Sequence, residues 1–266
     1  MLTGNQTSKT ALMVCAYRAR ASAAETPLIS DPWAAQLAGD TGYQVAAALD
    51  RVFPPMQTWL ALRVAYLDRL VGFAVDRLSV SQVVILGAGY DTRAARLART
   101  GVRFFEVDHP ATQADKREQL GRIAGYPVAA AHYVNCDFEQ QDPIERLRAH
   151  GFSLDAPALV LWEGVVPYLT EAAVRACAHS IATRLHPRSL LAFDFVSRRR
   201  VAPDASGDAA ASREFVGGLG EPVRFGSDDI VPLLFDTGFR WVRVVDFNQL
   251  ALEFLGSYDR ARMFRF

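Results

Sequence analysis

Three features of the 266-residue chain predict an α/β protein with a doubly wound, mostly parallel sheet. Residues 82–108 come first: an apolar, β-branched run (Val83, Val84, Ile85, Leu86) breaks at Gly87-Ala88-Gly89, a helical stretch follows, and a second apolar run closes on Asp108. After Gln82, short apolar runs alternate with helical periods, which marks crossover units and a parallel sheet covered on both faces. Nearly 80 residues of helical pattern precede the first strand. Together these predict a seven-stranded, Rossmann-like sheet. A helical N-terminal cap over residues 1–80 belongs to the same domain, and a core over 81–266 carries a lid insertion at about 200–226.

The cap opens with a helix over about 10–24, with Leu12, Met13, Ala16 and Tyr17 on one side and Pro27 beyond its end. Asp31-Pro32 reads as an N-cap followed by proline at the first helical position, starting a helix through Gln36 that Gly39 and Gly42 punctuate. A short helix over about 44–52, the Pro54-Pro55 break and a long helix over about 56–78 complete the cap. In the long helix Trp59, Leu62, Val64, Leu67, Val71 and Val75 supply a wide apolar face. Strands are expected at 82–86, 103–107, 131–136, 158–162, 189–196, 240–247 and 260–266, the last two as a terminal antiparallel hairpin. Helices are expected at about 92–99, 110–124, 142–150 and 170–185. Residues 200–226, rich in glycine, alanine and serine and poor in periodicity, read as an excursion over the active site.

Bulk properties narrow the class. The 29 basic and 29 acidic residues cancel, so no global field recruits nucleic acid or an anionic membrane, although Arg198-Arg199-Arg200 forms a local basic patch. Three scattered cysteines without a C-x-x-C fit a reducing compartment. The first residues lack a signal peptide's order, and no apolar run reaches membrane-spanning length. A soluble, cytoplasmic protein is expected, with its oligomeric state open, a homodimer included. The histidines show no ligand spacing, so no metal is expected.

The glycine turn lets the backbone approach a ligand where a Cβ would collide. Asp108, about 20 residues beyond, is placed to accept from the two hydroxyls of a ribose. A dinucleotide fingerprint wants a third glycine, but Thr92 stands there, preceded by Asp91. A carboxylate at that position repels pyrophosphate and accepts from an ammonium group, which favours S-adenosylmethionine over NAD. Ligands of such sheets collect at the C-terminal strand ends, where this sequence puts Asp108-His109, Asp137-Phe138 and Glu163-Gly164. Asp137 suits the adenine amino group, Phe138 the ring face, and Glu163 the amino acid end.

At these residues the chain resembles the leucine carboxyl methyltransferase family, in particular its bacterial branch of S-adenosylmethionine-dependent O-methyltransferases. The likeness rests on T-A-L-M-V-C-A-Y-R-A, P-L-I-S-D-P-W-A at 27–34, L-G-A-G-Y-D-T-R at 86–93, F-E-V-D-H-P at 105–110, D-F at 137–138 and E-G-V-V-P-Y-L at 163–169. It implies a class I methyltransferase fold. It implies cofactor contacts from Gly87, Asp108, Asp137, Phe138 and Glu163, and the residues beside them, Ala88, Gly89, Asp91 and His109, are expected at the cofactor too. It also implies cations for the methionine carboxylate from Arg63 and Lys9. Tyr17, Arg18 and Tyr168 are the expected substrate contacts, with Tyr168 and His109 as candidates to position the acceptor oxygen. Many bacterial members carry R-A-x-E-S where this chain has Arg18-Ala19-Arg20-Ala21-Ser22, so a relative's substrate does not transfer. The expected activity is transfer of a methyl group to a carboxyl or hydroxyl oxygen of a small or lipophilic metabolite. An NAD-dependent oxidoreductase and a cofactor-binding protein without catalysis are the alternatives.

Overall fold

The sheet is built from strands that face both ways. In the computed structural model, which describes residues 8–204 and 206–256, Val84, Leu86, Phe105, Val107, Val160 and Trp162 enter one apolar layer. Val83, Ile85, Phe104, Leu159 and Leu161 enter the other. That two-residue alternation of wholly apolar positions is why these runs read as continuous rather than amphipathic. The cap opens the chain with α1 (Lys9–Ser22), α2 (Ala34–Val52) and α3 (Met56–Leu78). There follow β1 (Gln82–Leu86), α4 (Arg93–Arg96), β2 (Arg103–Asp108), α5 (Pro110–Gly121), β3 (Ala131–Asn135), α6 (Pro143–Ala149), β4 (Ala158–Trp162), α7 (Glu171–Arg184) and β5 (Leu190–Phe193). The described chain ends with α8 (Asp208–Gly218), α9 (Val231–Thr237) and α10 (Phe247–Phe254).

All neighbouring strands pair in parallel, in the order β3-β2-β1-β4-β5. The order reverses between β1 and β4, so the crevice beyond their C-terminal ends is the expected ligand position. Helices α6, α7 and α9 lie over one face and α3 and α4 over the other. A third apolar cluster joins α1, α2 and α3 to Tyr90 and to Leu120, Ile123 and Tyr126 in and beyond α5, which seats the cap on the core.

Local chemistry explains most boundaries. Ser8, Asp142 and Thr170 cap α1, α6 and α7 through side-chain oxygens, and Asp246 with Gln249 forms a capping box on α10. Asp31 also acts as a cap, its carboxylate accepting from Trp33 N at 3.2 Å and Ala34 N at 3.1 Å, although the regular helix starts only at Ala34.

Four expectations are corrected. The two helices predicted at 31–36 and 44–52 run together as α2, broken only at Gly39, whose φ is 51°. Gly42 lies inside that helix because α1 passes close by, and a Cβ there would sit 2.5 Å from the Leu12 carbonyl oxygen. The excursion at 200–226 contains helix α8, since Ala209 to Val216 are mostly good helix formers behind a Gly207 start. The strand predicted at 240–247 does not form. The alternation of Trp241, Val242, Arg243 and Val244 is there, but Trp241 is 71% exposed, no strand among the described residues pairs with the segment, and Phe247 already begins α10. Its expected partner at 260–266 lies outside the described residues. The described sheet therefore has five strands, not seven.

Asp31 ties the cap to the core: it is buried, and it takes Arg18 Nε at 2.8 Å and Thr92 Oγ1 at 2.7 Å besides its two backbone donors. Asp31→Ala strands the buried Arg18 guanidinium and should cost about 3–5 kcal/mol in urea unfolding. A loss below about 1 kcal/mol would mean that Arg18 finds other compensation.

Candidate functional site

The glycine turn after β1 is stitched to the neighbouring strand. Gly87 N and Ala88 N both donate to the Val107 carbonyl, at 2.7 and 3.2 Å. Gly87 has φ 65°, and a Cβ on it would meet Val165 Cγ2 at 2.2 Å; Gly89 has φ 44° and faces Ala11 of α1. The turn is thus glycine for conformation and for close approach of the chain segments on both sides. Asp108 ends β2 opposite it. Its carboxylate accepts from Gly89 N at 2.5 Å and His109 N at 2.6 Å, which fixes its orientation. Burial pushes Asp108 above the ordinary carboxylate range, against those two N–H groups.

From there a chain of buried ion pairs crosses the sheet edge. Asp194, just beyond β5, accepts from Arg63 of α3 at 2.8 Å, and Arg63 Nε donates to Glu163 at 2.7 Å. Glu163 accepts from Arg93 at 2.6 Å, and Arg93 also meets Asp91 at 2.5 Å and Asp68 at 2.6 Å. Asp68 continues to Arg96 at 2.6 Å, then Asp31 and Arg18 follow. Four arginines face five carboxylates, so this set of paired groups carries one net negative charge. Burial works to raise Glu163, but Arg93 and Arg63 outweigh it and hold its carboxyl below the usual range. Burial likewise opposes Asp91, which Arg93, Arg18, Lys116 and Arg96 hold at about 2.

Several of these residues have no sequence signal as site residues. Asp194 follows the same rule of acids at strand ends, applied one strand further. Gly164, with φ 68°, leaves room for the Arg63 guanidinium, whose Nη2 lies 3.4 Å from where its Cβ would be. Arg93 is 1% exposed, and its Nη2 has no partner among the described residues. Lys116 is equally buried: it donates to the Asp91 carbonyl at 2.6 Å and to the Glu106 carboxylate, bracing the exit of the turn from below.

The other predicted residues fall unevenly. Asp137 and Phe138 stand at the end of β3, the Asp137 carboxylate accepting from Glu139 N at 3.0 Å and Gln140 Nε2 at 2.8 Å. Lys9 is exposed at the start of α1, beside Ser8 and Thr10, whose hydroxyls donate to Glu221 of the insertion. Tyr168 lies within the electrostatic reach of Glu221, Arg63 and Asp194, and burial raises its phenol well above the ordinary value. His109 is exposed and caps α5, its Nδ1 accepting from Ala111 N at 3.3 Å, so its ring has a structural task. Tyr17 and Arg18, expected as substrate contacts, have partners within the chain. Tyr17 is wholly buried, its hydroxyl donating to Ala46 O and Asp50; Arg18 is buried on Asp31 and the Tyr90 carbonyl. Both lock α1 to its neighbours.

The folded Asp91 value lies below the usual 3.9 or so, so its contribution is complete above about pH 4 and is lost as pH falls toward about 2. The stability gap between the natural chain and Asp91→Asn should therefore narrow across that window in urea titrations. A gap that is constant with pH would mean that Asp91 is not held down by its arginines.

The family model for leucine carboxyl methyltransferase matches residues 11–182. An inferred S-adenosyl-L-methionine-dependent methyltransferase of Mycobacterium avium is 36% identical over 208 residues, 73% of this chain and 68% of that one. Another, of Mycolicibacterium gilvum, is 34% identical over 247 residues, covering 87% and 77%. Among solved structures, a DUF574 family protein of Streptomyces avermitilis superposes with a TM-score of 0.59 at 16% identity, over 84% of this chain and 81% of that one. An inferred methyltransferase of Thermobifida fusca gives 0.58 at 17% identity, over 85% and 78%. The last two show the fold; the matches in sequence reach further, and on them the chain belongs to the leucine carboxyl methyltransferase family, whose cofactor is S-adenosylmethionine.

Proposed function

We propose that this chain is an O-methyltransferase that binds S-adenosylmethionine across the ends of β1, β2 and β4 and methylates a carboxyl or hydroxyl oxygen of a small or lipophilic metabolite. The observation that carries the reading is the pairing of two oriented charges at one sheet edge. Asp108 is aimed by Gly89 and His109, and Arg63 is held between Glu163 and Asp194. The ion chain's single excess negative charge also complements the cofactor, in which sulfonium, ammonium and carboxylate leave one net positive charge. The residues present fit the group.

In this reading Asp108 accepts from the ribose hydroxyls, while Asp137 and Phe138 take the adenine. Glu163 and Asp91 face the ammonium. Arg63, whose Nε and Nη1 are already engaged, offers its remaining Nη2 edge to the methionine carboxylate, with Lys9 as a second cation. When bound, the cofactor supplies both the activated methyl group and its leaving group. The chain's own task is to orient the acceptor oxygen on the sulfur axis and exclude water. Tyr168 suits that task as a hydrogen-bond donor, because its raised phenol stays protonated at neutral pH and cannot serve as a base. A carboxylate acceptor needs no base; a hydroxyl acceptor would have to draw on another group.

Calorimetric titration with S-adenosylmethionine, S-adenosylhomocysteine and NAD tests the reading; binding of NAD alone would overturn it. Asp108→Ala should weaken cofactor binding by about 1–3 kcal/mol through lost charge-assisted bonds. An unchanged affinity would place the ribose elsewhere. Arg63→Ala should weaken S-adenosylhomocysteine far more than methylthioadenosine, which lacks the amino acid end; equal losses would remove Arg63 from that role.

A further inference from the structure

The basic triplet Arg198-Arg199-Arg200 is divided by the fold. Arg198 and Arg199 are exposed, whereas Arg200 is half-buried and turned onto aromatic rings. Its guanidinium carbon lies 4.8 Å from the centroid of Phe53 and 5.5 Å from that of Trp59. Trp59 stacks on Phe247 at 4.1 Å and meets Phe53 edge-on at 6.0 Å. The corner is therefore assembled from the end of α2, from α3, from the turn at 198–200 and from the start of α10.

Among the described residues the Arg200 side chain makes no ion pair and no hydrogen bond. Burial draws its pKa below the ordinary arginine range, and the exposed Asp208 is the charge that opposes this. Ring faces partly offset the desolvation of a cation but leave its N–H donors without a conventional acceptor. A guanidinium so placed has its charge partly stripped of water and its bidentate edge unspent, which is the state that a carboxylate completes.

The position of the corner says which ligand this concerns. Trp59 and Arg63 are four residues apart on α3, on one helix face and about 6 Å along its axis. The aromatic corner thus begins one helical turn from the charges assigned above to the methionine end. We propose that Arg200 is the anion-recognising residue of the methyl-acceptor site, and that the acceptor is a small molecule with an apolar or aromatic body and a carboxylate. The carboxylate takes the free edge of Arg200, and the body packs against Phe53, Trp59 and Phe247. Arg200 selects the acceptor and takes no part in bond making. This inference rests on the methyltransferase reading.

The test is calorimetry on protein loaded with S-adenosylhomocysteine. The probes are benzoate, 3-phenylpropionate and 2-naphthoate, each beside its primary amide. The natural chain should bind at least one acid, and its amide about tenfold more weakly or worse. Arg200→Gln should weaken that acid by about tenfold or more, leaving the amide and S-adenosylhomocysteine affinities unchanged, and Arg200→Lys should fall between. Acid and amide binding equally, an acid affinity untouched by Arg200→Gln, or no acid bound by the loaded protein would each overturn the proposal. So would a loss of S-adenosylhomocysteine affinity in Arg200→Gln, which would make Arg200 a structural residue. Failure of the natural chain to bind S-adenosylhomocysteine would instead overturn the cofactor reading, and this inference with it.

Discussion

The buried guanidinium of Arg93 is the constraint around which the site is arranged. It cannot shed its proton in a protein interior, so three carboxylates must come to it: Asp68 from α3, Asp91 from the glycine turn and Glu163 from the end of β4. Each of those acids lies on a different piece of the fold. Satisfying one cation therefore sets the distance between the long cap helix, the turn after the first strand and the central crevice. The pairs are not a source of great net stability, because burying so many charges costs about what their attraction returns. What they provide is a defined geometry, in which each acid and cation of the crevice is oriented by its neighbours.

The cap takes part in that geometry and is not merely laid over it. Arg63 and Asp68 lie on α3, five residues apart, and Arg63 meets the strand-end acids Glu163 and Asp194 while Asp68 meets the arginines of α4. Arg18 and Asp31 extend the same alternation into α1 and the start of α2. Ala11 packs beside Gly89, and Ser8 and Thr10 bond Glu221 of the insertion, so the first helix spans from the glycine turn to the segment after α8.

What could be read from the sequence was whatever local chemistry decides. β4 runs over the predicted residues because five wholly apolar positions admit one answer, and the Gly87-to-Asp108 interval was visible because turn, helix and strand follow in one stretch. The ion chain is not legible in the sequence, since most of its members pair over separations that no local period encodes; Arg93 reads as one of several arginines on a short helix. The partners of Tyr17 and Arg18 are hidden from the sequence for a related reason. Polar side chains in a cap suggest a ligand, and only the packed structure shows Asp50 and Asp31 already waiting for them. The segment at 240–247 has strand propensity, but propensity alone does not form a strand: among the described residues it pairs with none.

The separations along the ion chain have a kinetic meaning. Arg63 reaches Glu163 across 100 residues and Asp194 across 131. Contacts of such span close only after the intervening chain has found its place, and the cost of closing long loops delays them further. The glycine turn and Asp108, 19 residues apart, can meet much earlier. The part of the crevice around the glycine turn and Asp108 thus closes over a short loop, whereas the Arg63 bridge to Asp194 requires β5 to have joined the sheet. A chain arrested before that point would possess the glycine turn and its Asp108 partner without the Arg63 bridge between Glu163 and Asp194.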